Sequence, residues 1–173
     1  FALAFWPDTK GRTPKILNRF LDTPKDDILN LDKFQEISVA GRGFYAMEYL
    51  LYDRGISKSK PEKKICQLLT VIAADMSKLS EEIAREWSTS YSNNLMRYDS
   101  SNIYNSEKEV VQELYKSLRV GLQFTANTRL GRPLGSLTKP RPRRADAYRS
   151  SRSLRHIILS LNATKQLALS LSE

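Results

Sequence analysis

The sequence has one Cys and one His among its 173 residues, 7 Gly, 7 Pro and no long uncharged apolar run. A lone thiol excludes an internal disulfide framework and any Cys-based zinc cluster, and it leaves cytosol and bacterial periplasm equally open. A lone His excludes every motif that needs two, H-E-x-x-H included. Low Gly and Pro, with 40% hydrophobic residues, exclude fibrous and disordered classes. The longest apolar candidates, near residues 65–76 and 157–169, are broken by polar groups before the roughly 18 residues a spanning helix needs, so no transmembrane segment is expected. Phe1-Ala-Leu-Ala-Phe5 has no Met and no basic n-region and is too short for a signal h-region, and it reads as the start of a fragment or processed chain. The length suffices for one real core.

Charge is present but uneven. Lys and Arg number 28 against 19 Asp and Glu, for a net +9. Nine basic residues and the single acid Asp146, all between Arg129 and Arg155, supply +8 of it. The stretch Lys139-Pro-Arg-Pro-Arg-Arg144 invites a nucleic-acid reading through phosphate contacts. No helix carries a continuous basic stripe, however, and the rest of the chain is nearly neutral, so nucleic acid is not the expected partner.

The hydrophobic pattern is helical almost throughout. Over 61–92, Ile65, Leu68, Leu69, Ile72, Met76, Leu79, Ile83, Trp87 and Tyr91 recur at three- and four-residue steps, which predicts a helix of about 30 residues and on the order of 45 Å. Ser106 and Glu109 form a capping pair for a second helix to near Thr128, with Val111, Leu114, Leu118, Leu122 and Thr125 inward. A third is expected over about 145–171, with Leu154, Ile157, Ile158, Leu161, Ala168 and Leu171 on one face and Ser150 on the same stripe. Thr13-Pro14 opens a short helix to about Leu21, and Leu31 to Asp53 forms another. Residues 1–12, 93–105 and 130–143 are expected to be non-helical, the last a long basic Pro/Gly loop. No run shows period-2 alternation, so the fold class is all-α, an up-and-down helical bundle with essentially no sheet.

The 31–53 helix carries the chemistry. Its apolar face reads Phe34, Ile37, Gly41, Phe44, Leu51, and Glu48 falls in the middle of that stripe. A carboxylate there must be paired, because burying it alone costs several kcal/mol or shifts its pKa upward. Tyr45 and Tyr52 stand at i−3 and i+4 from it. Gly41 and Gly43, costly inside a helix, suggest that another backbone or a ligand comes close. His156 sits beside Arg152 and Arg155, a setting that repels a metal cation. Cys66, next to Ile65, reads as a small core residue.

The segment Gly41-Arg-Gly-Phe-Tyr-Ala-Met-Glu-Tyr-Leu-Leu-Tyr-Asp53 resembles the signature helix of the imelysin-like family, G-x-H-x-x-E followed by an apolar run. Phe5-Trp-Pro-Asp8, Arg129-Leu-Gly-Arg-Pro-Leu-Gly135 and Ala145-Asp-Ala-Tyr-Arg-Ser-Ser-Arg-Ser-Leu-Arg155 resemble bacterial members in the same order. The resemblance implies a single imelysin-like domain over 1–173, part of a two-lobed helical fold and shortened at both ends relative to the family. It also implies export to the bacterial periplasm or cell envelope, as a secreted protein or lipoprotein. Gly43 and Glu48 carry over as motif residues, Glu48 as the metal ligand; Trp6, Asp8, Arg149, Ser150, Arg152 and Ser153 carry over as neighbours of the site.

Family members are described both as metallopeptidases and as proteins of iron uptake, so iron or zinc is the implied metal. Here Tyr45 occupies the motif His position. A phenol with an ordinary pKa near 10 is a poor ligand beside an imidazole, and a catalytic zinc site usually needs three protein ligands. The expected function is therefore non-catalytic binding of a small anionic or metal-chelate ligand around Glu48, with Arg149 or Arg152 pairing the carboxylate. Metal-dependent cleavage of a peptide is the alternative, and nucleic-acid binding by 139–155 a second.

Overall fold

A computed structural model describes residues 8, 10–23, 30–97 and 103–172. Among these the chain is an all-α helical bundle, and pairing of strand type is confined to an isolated Ser136–Lys139 bridge. The chain divides into two compact units. The first comprises residues 1–81 with 149–151, the second residues 82–148 with 152–173.

In the first unit, α1 (Arg12–Asp22) starts where Asp8 folds back on it. One Asp8 carboxylate oxygen accepts from the Arg12 amide at 2.9 Å and the other from Thr13 at 2.8 Å, meeting donors that the first helical turn leaves open. Its inward face is Thr13, Leu17, Phe20 and Leu21, the i, i+4, i+7, i+8 spacing of one side of a helix.

The expected continuous helix over 31–53 is broken. α2 (Leu31–Gln35) is followed by a 3-10 turn at Val39–Gly41, and α3 (Gly43–Tyr52) begins afresh after an extended Arg42. Gly43 has φ +76, a left-handed conformation that resets the helical phase. The face predicted across the break is consequently wrong: Phe44 and Leu51 are 70% and 54% exposed, and α3 buries Ala46, Tyr49 and Leu50 instead. The two glycines have different reasons. A Cβ on Gly41 would lie 2.9 Å from Ile16 Cγ2, so α1 side chains pack against its backbone, whereas Gly43 has open space and needs only its φ. Gly43→Ala should cost about 1–2 kcal/mol, the strain of a left-handed L-residue, and lower Tm by a few degrees in a thermal melt. An unchanged Tm would show that α3 can start without that conformation.

After α4 (Arg54–Ser59) comes α5 (Glu62–Glu86), whose Ile65, Leu68, Val71 and Ile72 complete a core with Leu17, Phe20, Leu21, Phe34, Ala46, Tyr49, Leu50 and Ile56. Cys66, expected in the core, is exposed on the other side of α5.

Asp75 occupies the buried face of α5 with its side chain 3% exposed. Extended Arg42 reaches it with two parallel bonds, Nε to Oδ2 at 2.8 Å and Nη2 to Oδ1 at 2.5 Å. Gln35 adds a donor to Oδ1, and its carbonyl accepts from Arg42 Nη1 at 3.1 Å. This bidentate pair ties α2, the turn and α5 together.

The second unit continues through a π-helical turn at Trp87–Tyr91 into α6 (Ser92–Met96), so helix extends into the stretch expected to be irregular from 93; residues 98–102 lie outside the described residues. The Tyr104 phenol is pushed up to about 12, first by its hydrogen bond with Tyr91. α7 (Glu107–Gln123), capped by Ser106, runs into a π-helical segment at Phe124–Gly131 and the short α8 (Arg132–Leu134).

α9 (Ser153–Ser170) starts eight residues later than expected, because residues 146–151 form turns and Ser151 has φ 58. Val110, Thr125, Asp146, Ala147 and Ile157 are the buried residues of this unit. Ile83, Trp87, Tyr91, Val111, Leu122, Leu154, Ile158 and Leu161, all expected inward, are exposed. Periodicity marks a face, but burial also needs an opposing layer, and among the described residues α9 packs chiefly on α7 and the π-helical segment.

Candidate functional site

Glu48 lies on α3, one residue before the buried Tyr49. Its Oε1 accepts two hydrogen bonds from one residue: the Ser150 amide and the Ser150 hydroxyl, each at 3.0 Å. Two donors from one rigid turn hold that oxygen, and charge-assisted bonds of this kind are about twice as strong as neutral ones. Oε2 accepts no hydrogen bond among the described residues.

Arg149 precedes Ser150 and is fixed independently. Its Nε donates to Asp53 Oδ2 at 3.0 Å, and its guanidinium carbon stands 4.9 Å from the centre of the Tyr49 ring. The acid seen with Arg149 is thus Asp53, where the sequence had suggested Glu48. Asp53 does double duty, since its Oδ1 caps α4 through the Gly55 amide at 3.0 Å. The Tyr49 hydroxyl in turn accepts from Asn18 of α1 at 3.1 Å. The stacked, hydrogen-bonded guanidinium has little freedom, an arrangement worth about 0.5–2 kcal/mol for the ring contact alone.

Sequence reasoning named Glu48, Arg149 and Ser150, and these come together. It missed Asp53, Tyr49 and Asn18. Asp53 was read only as a helix end, and the phase error on α3 hid Tyr49 behind Tyr45 and Tyr52. Tyr45 is partly buried on α3, and Gly43 opens that helix. Asp8 acts as the cap of α1, while Trp6 lies outside the described residues.

Arg152 and Ser153 belong to the second unit and close the turn before α9. The Arg152 amide donates to the Ala147 carbonyl, and the Ala147 amide donates to Ser153 Oγ, both at 3.1 Å. Asp146, in the same turn, has an acidic influence on His156 that the sequence reading overlooked: its Oδ2 stands 3.7 Å from His156 Nδ1 and 3.7 Å from Arg129 Nε.

Among the described residues, no group of three His, Cys, Asp or Glu side chains gathers closely enough to hold a metal ion. Glu48 offers one carboxylate, and the motif position that would add an imidazole carries Tyr45. The described residues therefore do not fit a resident metal of the three-ligand type. No helix of the described residues is long and apolar enough to cross a membrane.

No curated protein and no solved structure matches the chain. A family model described as Imelysin matches residues 1–173, the same span over which the signature helix, the Arg129–Gly135 stretch and the turn carrying Arg149 and Ser150 fall in order. With the whole chain covered by that match, the protein belongs to the imelysin family.

Proposed function

We propose that the chain is a non-catalytic binding protein of the bacterial envelope, linked to iron or metal uptake, that takes a small anionic metal chelate at Glu48. The observation that carries this reading is the asymmetry of the Glu48 carboxylate. One oxygen is immobilised by Ser150, and the other has no hydrogen-bond partner among the described residues. Arg149 and Glu48 carry opposite charges, so a plain anion drawn to the arginine would be repelled by the carboxylate. A chelate resolves the conflict: its outer carboxylates suit a guanidinium, and its metal or a hydroxyl suits Glu48 Oε2. With so few protein donors at hand, the metal arrives as cargo with most of its own ligands.

Titration calorimetry with ferric citrate, citrate alone and zinc ion tests the reading. Ferric citrate should bind more tightly than either of the others. Glu48→Gln should weaken it about tenfold to a hundredfold, the range for a charged hydrogen bond of roughly 1.5–3 kcal/mol. Binding that Glu48→Gln leaves intact, or no binding of ferric citrate, overturns the proposal. Peptide cleavage abolished by a chelator and by Glu48→Gln would support the peptidase alternative in its place.

A further inference from the structure

The charge of residues 129–155 plays a small part in the geometry described around Glu48, where Arg149 bonds Asp53. Much of the remainder lies from α8 through the 3-10 turn Pro142–Arg144, as Arg132, Lys139, Arg141, Arg143 and Arg144. The loop in this stretch is well ordered by its own backbone. The Lys139 amide donates to the Ser136 carbonyl at 3.0 Å and to Ser136 Oγ at 3.1 Å, and the Arg141 amide donates to the Pro133 carbonyl at 2.7 Å. A Cβ on Gly135 would run into the Lys139 carbonyl, so the turn closes tightly.

The tip of this turn is Leu137, at 105% relative exposure, with Leu134 at 65% and Leu130 at 37% nearby in sequence. Arg132, Lys139, Arg141, Arg143 and Arg144 are exposed in the same stretch, and none has an ion-pair partner among the described residues. Residues 129–145 contain no acid and no aromatic side chain. We propose that the loop at 130–144 is a contact surface for an anionic lipid membrane, with Leu137 entering the headgroup layer and the five exposed cations of the stretch meeting lipid phosphates.

Two features favour lipid over nucleic acid, the other large polyanion. A folded loop that holds Leu at its apex has an apolar group that a lipid layer accepts directly, whereas a duplex takes such a wedge only by unstacking its bases, and the loop has no aromatic ring on which single-stranded bases could stack. Each Lys or Arg near an anionic surface adds about 1 kcal/mol, or roughly fivefold in affinity. Fixing the loop in advance removes the ordering cost that a flexible basic tail would bear on binding.

Vesicle sedimentation of the full chain provides the test, with phosphatidylcholine alone and with phosphatidylglycerol mixed in. Association should require phosphatidylglycerol. Arg141→Ser, Arg143→Ser and Arg144→Ser together should weaken it about a hundredfold, and Leu137→Ser about tenfold with every cation kept. Leu137→Trp gives a second readout, a blue shift of its emission on anionic vesicles. The inference is overturned by absence of association, by association indifferent to Leu137→Ser together with an unshifted Leu137→Trp, or by duplex DNA binding more tightly than the vesicles and competing them off.

Discussion

Asp75→Ala is expected to destabilise the protein by about 3–5 kcal/mol, the range for breaking one side of a buried ion pair. The loss comes less from the missing attraction than from what remains. Arg42, with a side chain 11% exposed, keeps its charge and loses its bidentate acceptor. Replacing both partners with apolar residues, Arg42→Met with Asp75→Leu, should recover most of the stability, because desolvation of the two charges offsets much of their mutual attraction. Urea unfolding checks both: the single variant shifts the midpoint far down with an unchanged slope, and the double variant lies near the parent. A single-variant loss below about 1 kcal/mol would mean that the pair behaves as an exposed one.

Phe34→Ala should cost a similar amount, about 3–5 kcal/mol. Phe34 is 0% exposed and is the buried residue of a five-residue helix. So short a helix has no stability of its own. The Asn30 cap, accepting from the Asp32 and Lys33 amides, sets its start, and Phe34 anchors it to the core. Gln35 is the next residue and supports both members of the Arg42–Asp75 pair. Losses from Phe34→Ala and Asp75→Ala should therefore overlap and sum to less than their total. Full additivity in a double-mutant cycle by urea unfolding would show that α2 does not carry the pair.

Much of this architecture is legible in the sequence, and the failures share a cause. The long pattern from Ile65 to Ile72 needs no tertiary information to declare a helix, and Ser106 with Glu109 marks a start that the structure keeps. The 31–53 pattern looked equally good but joined two segments across Gly43, where one positive φ changes which residues face inward. The same happened at Ser151, where a turn replaced the expected first turns of α9 and carried Ser150 off the helical stripe. A visible signal of the Arg42–Asp75 pair was passed over: Asp75 follows Ile72 by three residues, an acid on a buried stripe, which is the argument that singled out Glu48. Its partner, 33 residues earlier, is fixed by packing and not by spacing. The stripe points to Glu48, but Ser150 joins it only through family resemblance, since nothing local relates residues 102 apart.

That separation has a consequence for how the protein comes into being. Glu48 and Ser150 stand 102 residues apart in the chain and Asp53 and Arg149 stand 96 apart, so each contact closes a long loop when it forms. Contacts of such long range follow local helix formation and weigh on the folding rate. The core that α1 to α5 share contains none of residues 149–151 and can gather before they are placed. The carboxylate of Glu48 stays in water until Ser150 brings its two donors, so this contact is among the last the folding chain makes.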